Sequence, residues 1–131
     1  VESSSGKLNL PPGTGRAGEA VVRSYVVEIL GYEITDTNFR NREGEINIVD
    51  RDDGMIIFIE VKTRTNQKFG AAIEQISSSK AQRLQATAQR YLSQNDLENA
   101  ECRIDLLSIE MDRRGRVSNV EHVQYAIEDQ E

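Results

Sequence analysis

A chain of 131 residues, 37 % hydrophobic and 29 % charged, can build one core and is too small for two. No apolar run approaches the roughly 18–20 residues of a membrane span, and the opening VESSSGKLNL lacks the basic-then-apolar order of a signal peptide. One cysteine, Cys102, and one histidine, His122, exclude an intramolecular disulfide and a zinc site of the usual kind, while a net charge of −6 argues at first against nucleic acid.

Residues 1–15, rich in Ser, Gly and Pro, read as a flexible N-terminal lead, residues 16–127 as one folded domain and 128–131 as an acidic tail. Within the lead, Gly13-x-Gly15-x-x-Gly18 matches a dinucleotide-binding pattern. It follows Pro11-Pro12 rather than a strand, so the glycines are expected only to lead into a helix. From Ala17 to Leu30 the stripe Val21, Val22, Tyr25, Val26, Ile29 and Leu30 predicts an amphipathic helix, stopped by Gly31. A first strand is expected over Tyr32–Phe39. GEINIVD and MIIFIEVKT then read as a hairpin turning at Asp53-Gly54. A second helix is predicted over Ala81–Ser93, opened by a capping box Ser79-x-x-Gln82, with Ala81, Leu84, Ala88, Tyr91 and Leu92 inward. Cys102–Met111 and Val117–Ile127 are closing strands about the basic turn Arg113-Arg114-Gly115-Arg116. Tyr91 and Cys102 are core candidates, His122 a structural or surface histidine, and Arg103 and Asp105 a buried ion pair.

The charge is unevenly spread. Between Lys62 and Arg90 six basic residues meet one acid, a local +5, while the rest of the chain carries −11. A basic strip is what phosphate binding requires, although a solvated helix face has the same composition.

A two-residue turn at Asp53-Gly54 pairs Asp52 with Met55, and by continuation Asn47 with Glu60 and Glu45 with Lys62. Alternation puts Glu60 and Lys62 in line with Ile56 and Phe58, leaving Met55, Ile57, Ile59 and Val61 as an apolar core face. Glu19, in the first turn of the first helix, reaches this patch if that helix packs across the sheet. Carboxylates can hold Mg²⁺, the ion can activate water and polarise a phosphoryl oxygen, and a lysine can offset developing charge. The same residues also serve as cross-strand ion pairs worth about 0.2–1 kcal/mol each, and spacing alone leaves both uses open.

The run GRAGEA, GY, NFR, GEIN, IEVKTR, FG, Lys80, YL and RID, from about Gly15 to Ile127, resembles the motif series of the YraN-like family of bacterial proteins. That family is placed in the PD-(D/E)XK nuclease superfamily and is similar to archaeal Holliday-junction resolvases. The resemblance implies an α/β, restriction-endonuclease-like fold, a central mixed sheet flanked by helices, Mg²⁺ or Mn²⁺ as cofactor, and DNA, branched DNA included, as substrate. It places the catalytic roles on Glu19, Asn47, Glu60 and Lys62. Metal is expected at Glu60 and the Val61 carbonyl, with Asn47 and Glu45 or Glu19 assisting. Arg64, Lys68, Lys80 and Arg83 are the expected phosphate contacts.

Asn47 departs from the family pattern GEID, which has an aspartate there. Two unit charges about 4 Å apart interact by roughly 4 kcal/mol at an effective dielectric of 20, so a neutral amide weakens metal binding. Either Glu45 compensates, or the protein binds DNA without cutting it, or the Asn is an engineered trap. The sequence thus predicts a cytoplasmic, metal-dependent DNA endonuclease or resolvase-like protein, impaired at Asn47, with no membrane association and with a homodimer as one option for cutting both strands. The alternatives are a non-catalytic nucleic-acid-binding module of the same fold and an acidic interaction domain.

Overall fold

The computed structural model describes residues 8–65 and 71–128. Lys68, an expected phosphate contact, and the Phe69-Gly70 pair of the motif series lie outside the described residues, as do the ends of the predicted lead and tail. Helix α1, Gly15–Ser24, widens into a π-helical turn, Tyr25–Ile29. Val22 and Val26, four residues apart on one side, are fully buried. Gly18 lets α1 pack closely, since a Cβ there would lie 2.6 Å from Thr14 Cγ2 and 3.6 Å from Met111 Sδ. The glycine run therefore serves helix entry and packing.

Strands β1 (Glu33–Asn41), β2 (Gly44–Asp52) and β3 (Met55–Arg64) form an antiparallel meander. Asp53 and Gly54 both take positive φ, 51° and 88°, as a tight two-residue hairpin turn demands. A 3₁₀ turn, Ala72–Gln75, and helix α2, Ser78–Gln94, then cross over to β4, Cys102–Met111, which runs parallel to β3. A parallel neighbour needs such a crossover. β5, Val117–Ile127, returns antiparallel and completes a sheet in the order β1-β2-β3-β4-β5. This mixed sheet flanked by two helices is the α/β architecture expected of a restriction-endonuclease-like fold. No helix among the described residues is long and apolar enough to cross a membrane.

The sheet is covered on both faces. Val22 and Val26 pack with Ile48, Ile57, Ile59, Val61, Leu107 and Ile109 on the α1 face. Leu84, Ala88, Tyr91 and Leu92 pack with Ile46, Val49, Ile56 and Phe58 on the α2 face. Each fully buried Ile, Leu or Phe contributes about 1.5–3 kcal/mol by leaving water. Tyr91 ties α2 to β1 through its hydroxyl, which donates to Asp36 Oδ2 at 2.6 Å. Burial and that carboxylate push the phenol up to about 12.

Two local expectations change. Ser77, not Ser79, caps α2: its extended backbone lets Oγ accept from the Lys80 N–H at 3.2 Å. Cys102 is exposed at the start of β4. Arg103 and Asp105 do form the buried pair. Fully buried Asp105 accepts from Arg103 Nε at 3.0 Å and from the Tyr125 N–H at 3.0 Å, with His122 Nε2 2.7 Å away.

Asp50 is the exception to this satisfaction. It is fully buried on β2, and neither carboxylate oxygen has a hydrogen-bond partner among the described residues. Burial, reinforced by nearby Asp105, pushes its carboxyl well above the usual range. A carboxyl whose pKa is raised by folding contributes stability below its unfolded pKa and loses it as pH rises toward the folded value. Asp50→Asn removes that dependence, so its urea midpoint should gain on that of the parent as pH rises from 4 to 8. Parallel curves would show that Asp50 folds in its charged form.

Candidate active site

Beyond Phe58 the alternation of β3 carries Glu60 and Lys62 onto the α2 face, at the end of the sheet remote from the hairpin turn. Glu60 is buried there at 5 % exposure. Lys62 Nζ lies 3.7 Å from Glu60 Oε2, and Lys80 Nζ approaches the same oxygen to 3.5 Å. Lys80 arrives from the first turn of α2, whose start is set by the Ser77 cap. One carboxylate thus sits between ammonium groups from two elements. Burial raises the Glu60 pKa, Lys80 and then Lys62 oppose the rise, and Glu45 adds to it.

Asn47 departs from the expected pairing. The β2–β3 ladder ends at Ile48 opposite Ile59, so the facing pairs Asn47–Glu60 and Glu45–Lys62 do not form. The Asn47 side chain takes the next place in the ladder, its Oδ1 accepting from the Val61 N–H at 2.7 Å. The amide Nδ2 donates to the Asn9 carbonyl at 3.1 Å. Alternation breaks at this residue: Ile46 packs on the α2 face and Ile48, two residues on, on the α1 face.

The other expected residues are scattered around this junction. Glu45 pairs with Arg40 Nη2 at 3.2 Å and remains close enough to influence Glu60. Glu19 belongs to α1, which covers the opposite face from Glu60 and Lys62. Its Oε2 accepts from the Leu8 N–H at 2.9 Å and lies 3.5 Å from Arg23 Nε. Val61 contributes a buried side chain and the N–H bonded to Asn47. Arg64 faces Glu110 on β4 at 3.8 Å, while Arg83 is exposed on α2.

Several contributors escaped the sequence reading. Ser108 and Glu110 line up beside Lys62 and Arg64 in the parallel register, and Ser108 Oγ donates to Gln75 Oε1 at 2.7 Å. Their alternation with buried Leu107 and Ile109 was the available signal. Asn9 and the Thr14–Thr63 hydroxyl contact, 2.7 Å, carried no comparable periodicity.

The donors for a divalent cation are present but engaged apart. Glu60 holds two ammonium groups, Asn47 holds Val61 and Asn9, and Glu19 holds Leu8 and Arg23. No group of three or more His, Cys, Asp or Glu among the described residues is close enough to share an ion. As arranged, the residues do not fit the expected Mg²⁺ or Mn²⁺.

Residues 18–109 match the model of the Uncharacterised protein family UPF0102. A UPF0102 protein of Roseiflexus castenholzii is 37 % identical over 116 residues, covering 88 % of this chain and 93 % of that protein. One from Moorella thermoacetica is 38 % identical over 112 residues, 86 % and 92 % of the two chains. One from Neisseria gonorrhoeae is 40 % identical over 107 residues, 82 % and 90 %. The matched span contains Glu19, Asn47, Glu60, Lys62 and Lys80. The chain belongs to the UPF0102 family, the YraN-like group that its GEIN and IEVKTR motifs resemble.

Proposed function

We propose that this protein is a nucleic-acid-processing domain of the nuclease type, binding DNA through the basic side of α2 and cutting phosphodiester bonds in a metal-dependent reaction withheld in the arrangement described. One observation supports the reading most: buried Glu60 is held between Lys62 of β3 and Lys80 of α2. Two ammonium groups on one carboxylate are more than its charge balance requires. A phosphate entering the site can take one of them while the other stays with Glu60, at little electrostatic cost. Arg83, exposed one turn further along α2, extends the same positive side. The second reading, a binding module that does not cut, is favoured by Asn47, whose amide is committed to protein partners on both sides.

DNA affinity should therefore fall steeply with salt, each neutralised phosphate contributing a slope of about −0.9 on duplex DNA. Replacing Lys80 and Arg83 together with Ala should flatten the slope by up to about 2, measured by fluorescence anisotropy on linear and four-way DNA. An unchanged slope would remove α2 from the DNA path and point instead to Arg113, Arg114 and Arg116.

A further inference from the structure

The fold sorts the charges that composition scatters along the chain. At the end of the sheet that holds Glu60 and Lys62, the exposed Arg16, Arg42, Arg83, Arg113 and Arg114 have no acidic partner among the described residues. The acids around them are mostly paired already: Glu43 with Arg90, Glu45 with Arg40, Glu110 with Arg64 and Asp112 with Arg116. Glu74 and Glu121 are exposed there without a cation. The opposite end, around the Asp53-Gly54 turn, exposes Glu33, Asp52, Asp53, Glu101 and Glu128 against Arg51. A chain of net charge −6 therefore presents one positive end, the end toward which a polyanion is steered.

The β4–β5 turn, residues 112–116, stands outermost at that end. Asp112 builds it. Its Oδ1 accepts from the N–H groups of Arg114 and Arg116, each at 2.9 Å, and its Oδ2 lies 3.0 Å from Arg116 Nε. The Asp112 N–H donates to the Arg116 carbonyl at 2.7 Å, and Gly115 supplies the positive φ, 79°, that closes the turn. The carboxylate is thus spent on the turn itself, and Arg113 and Arg114 are exposed on a loop already fixed in place. A fixed loop loses less freedom when it binds.

The spacing suits a duplex. Ser108 is the register neighbour of Lys62, and Arg113 lies five residues further along the chain, roughly 16 Å at about 3.3 Å per residue. Phosphates on the two sides of a major groove about 12 Å wide are separated on the same scale. We infer that the β4–β5 turn is a second phosphate-binding element, with Arg113 and Arg114 holding the far side of a DNA duplex whose near side rests on Lys80 and Arg83. The inference rests on the nuclease-type reading and adds the path of the DNA across the positive end.

The test is the salt dependence of one-to-one binding to a duplex of about 12 base pairs, read by fluorescence anisotropy. Replacing Arg113 and Arg114 together with Ala should flatten the slope by up to about 2, and adding Lys80→Ala and Arg83→Ala should bring the loss to about 4. Arg51→Ala removes an exposed arginine from the acidic end and should leave the slope unchanged. A slope that responds to Lys80 and Arg83 but not to Arg113 and Arg114 overturns the second contact and leaves the nuclease-type reading standing. A slope that responds to Arg113 and Arg114 alone overturns that reading and the two-sided path with it. A loss with Arg51→Ala equal to that per arginine of the turn overturns the inference too, since net charge and not place would then set the slope. Absence of duplex binding by the parent overturns both.

Discussion

Asn47→Asp should destabilise the metal-free protein by about 1–3 kcal/mol, the cost of leaving a buried polar group unmatched. The new carboxylate keeps its bond from the Val61 N–H but loses the donor that holds the Asn9 carbonyl, and two oxygens then face each other across 3.1 Å. At 9 % exposure little water reaches them. The added charge also stands near Glu60, whose pKa burial already raises. The penalty should therefore be relieved by a cation: millimolar Mn²⁺ should return the thermal midpoint of the variant to the parent value or beyond it, while leaving the parent little changed. On the nuclease reading, Mg²⁺- or Mn²⁺-dependent cleavage should appear or increase with this substitution. Adding Lys62→Ala should abolish that gain and largely spare DNA binding. If the variant binds metal more tightly yet cuts neither linear nor four-way DNA, the binding-module reading takes over. A variant as stable as the parent without metal would show that the Asn9–Asn47 bond contributes nothing.

Asp105→Ala should have the largest effect on stability, a loss of about 3–5 kcal/mol by urea denaturation, because it strands a buried cation. The Arg103 side chain is 9 % exposed and loses its carboxylate, while His122 and the Tyr125 N–H lose their acceptor at the same time. Arg103 would keep its bond to the Tyr32 hydroxyl, 2.6 Å, its weak contact with Met55 Sδ, 3.4 Å, and its cation–π contacts with Tyr32 and Tyr125. This cluster occupies the α1 face, so DNA affinity per folded molecule should not change. A loss below about 1 kcal/mol, the range of exposed pairs, would mean that the cluster is solvated in solution.

Where chemistry is local, the sequence was sufficient. Asp53-Gly54 between two β-rich runs dictates a tight turn, since few other dipeptides accept two positive φ values, and the turn sets the register as far as Ile48–Ile59. Period-two alternation then placed Glu60 and Lys62 on the Phe58 face, and period-four spacing buried Val22 and Val26. The motif run identified the family. Tertiary structure decided what happens past the end of that ladder. Whether Asn47 continues the pairing or substitutes its own amide depends on which groups compete for the Val61 N–H and on Asn9, 38 residues away in sequence. The capping residue of α2, and with it the reach of Lys80 to Glu60, depends on where the crossover lands on the sheet. Burial of Leu8 in the α1-face core, with the hydrogen bonds of Asn9 and Thr14, fixes residues 8–14 of the predicted lead against the sheet and α1. Composition describes what a segment can do alone, and this one was ordered by a hydrophobic site and hydrogen-bond partners that exist only once the sheet has formed.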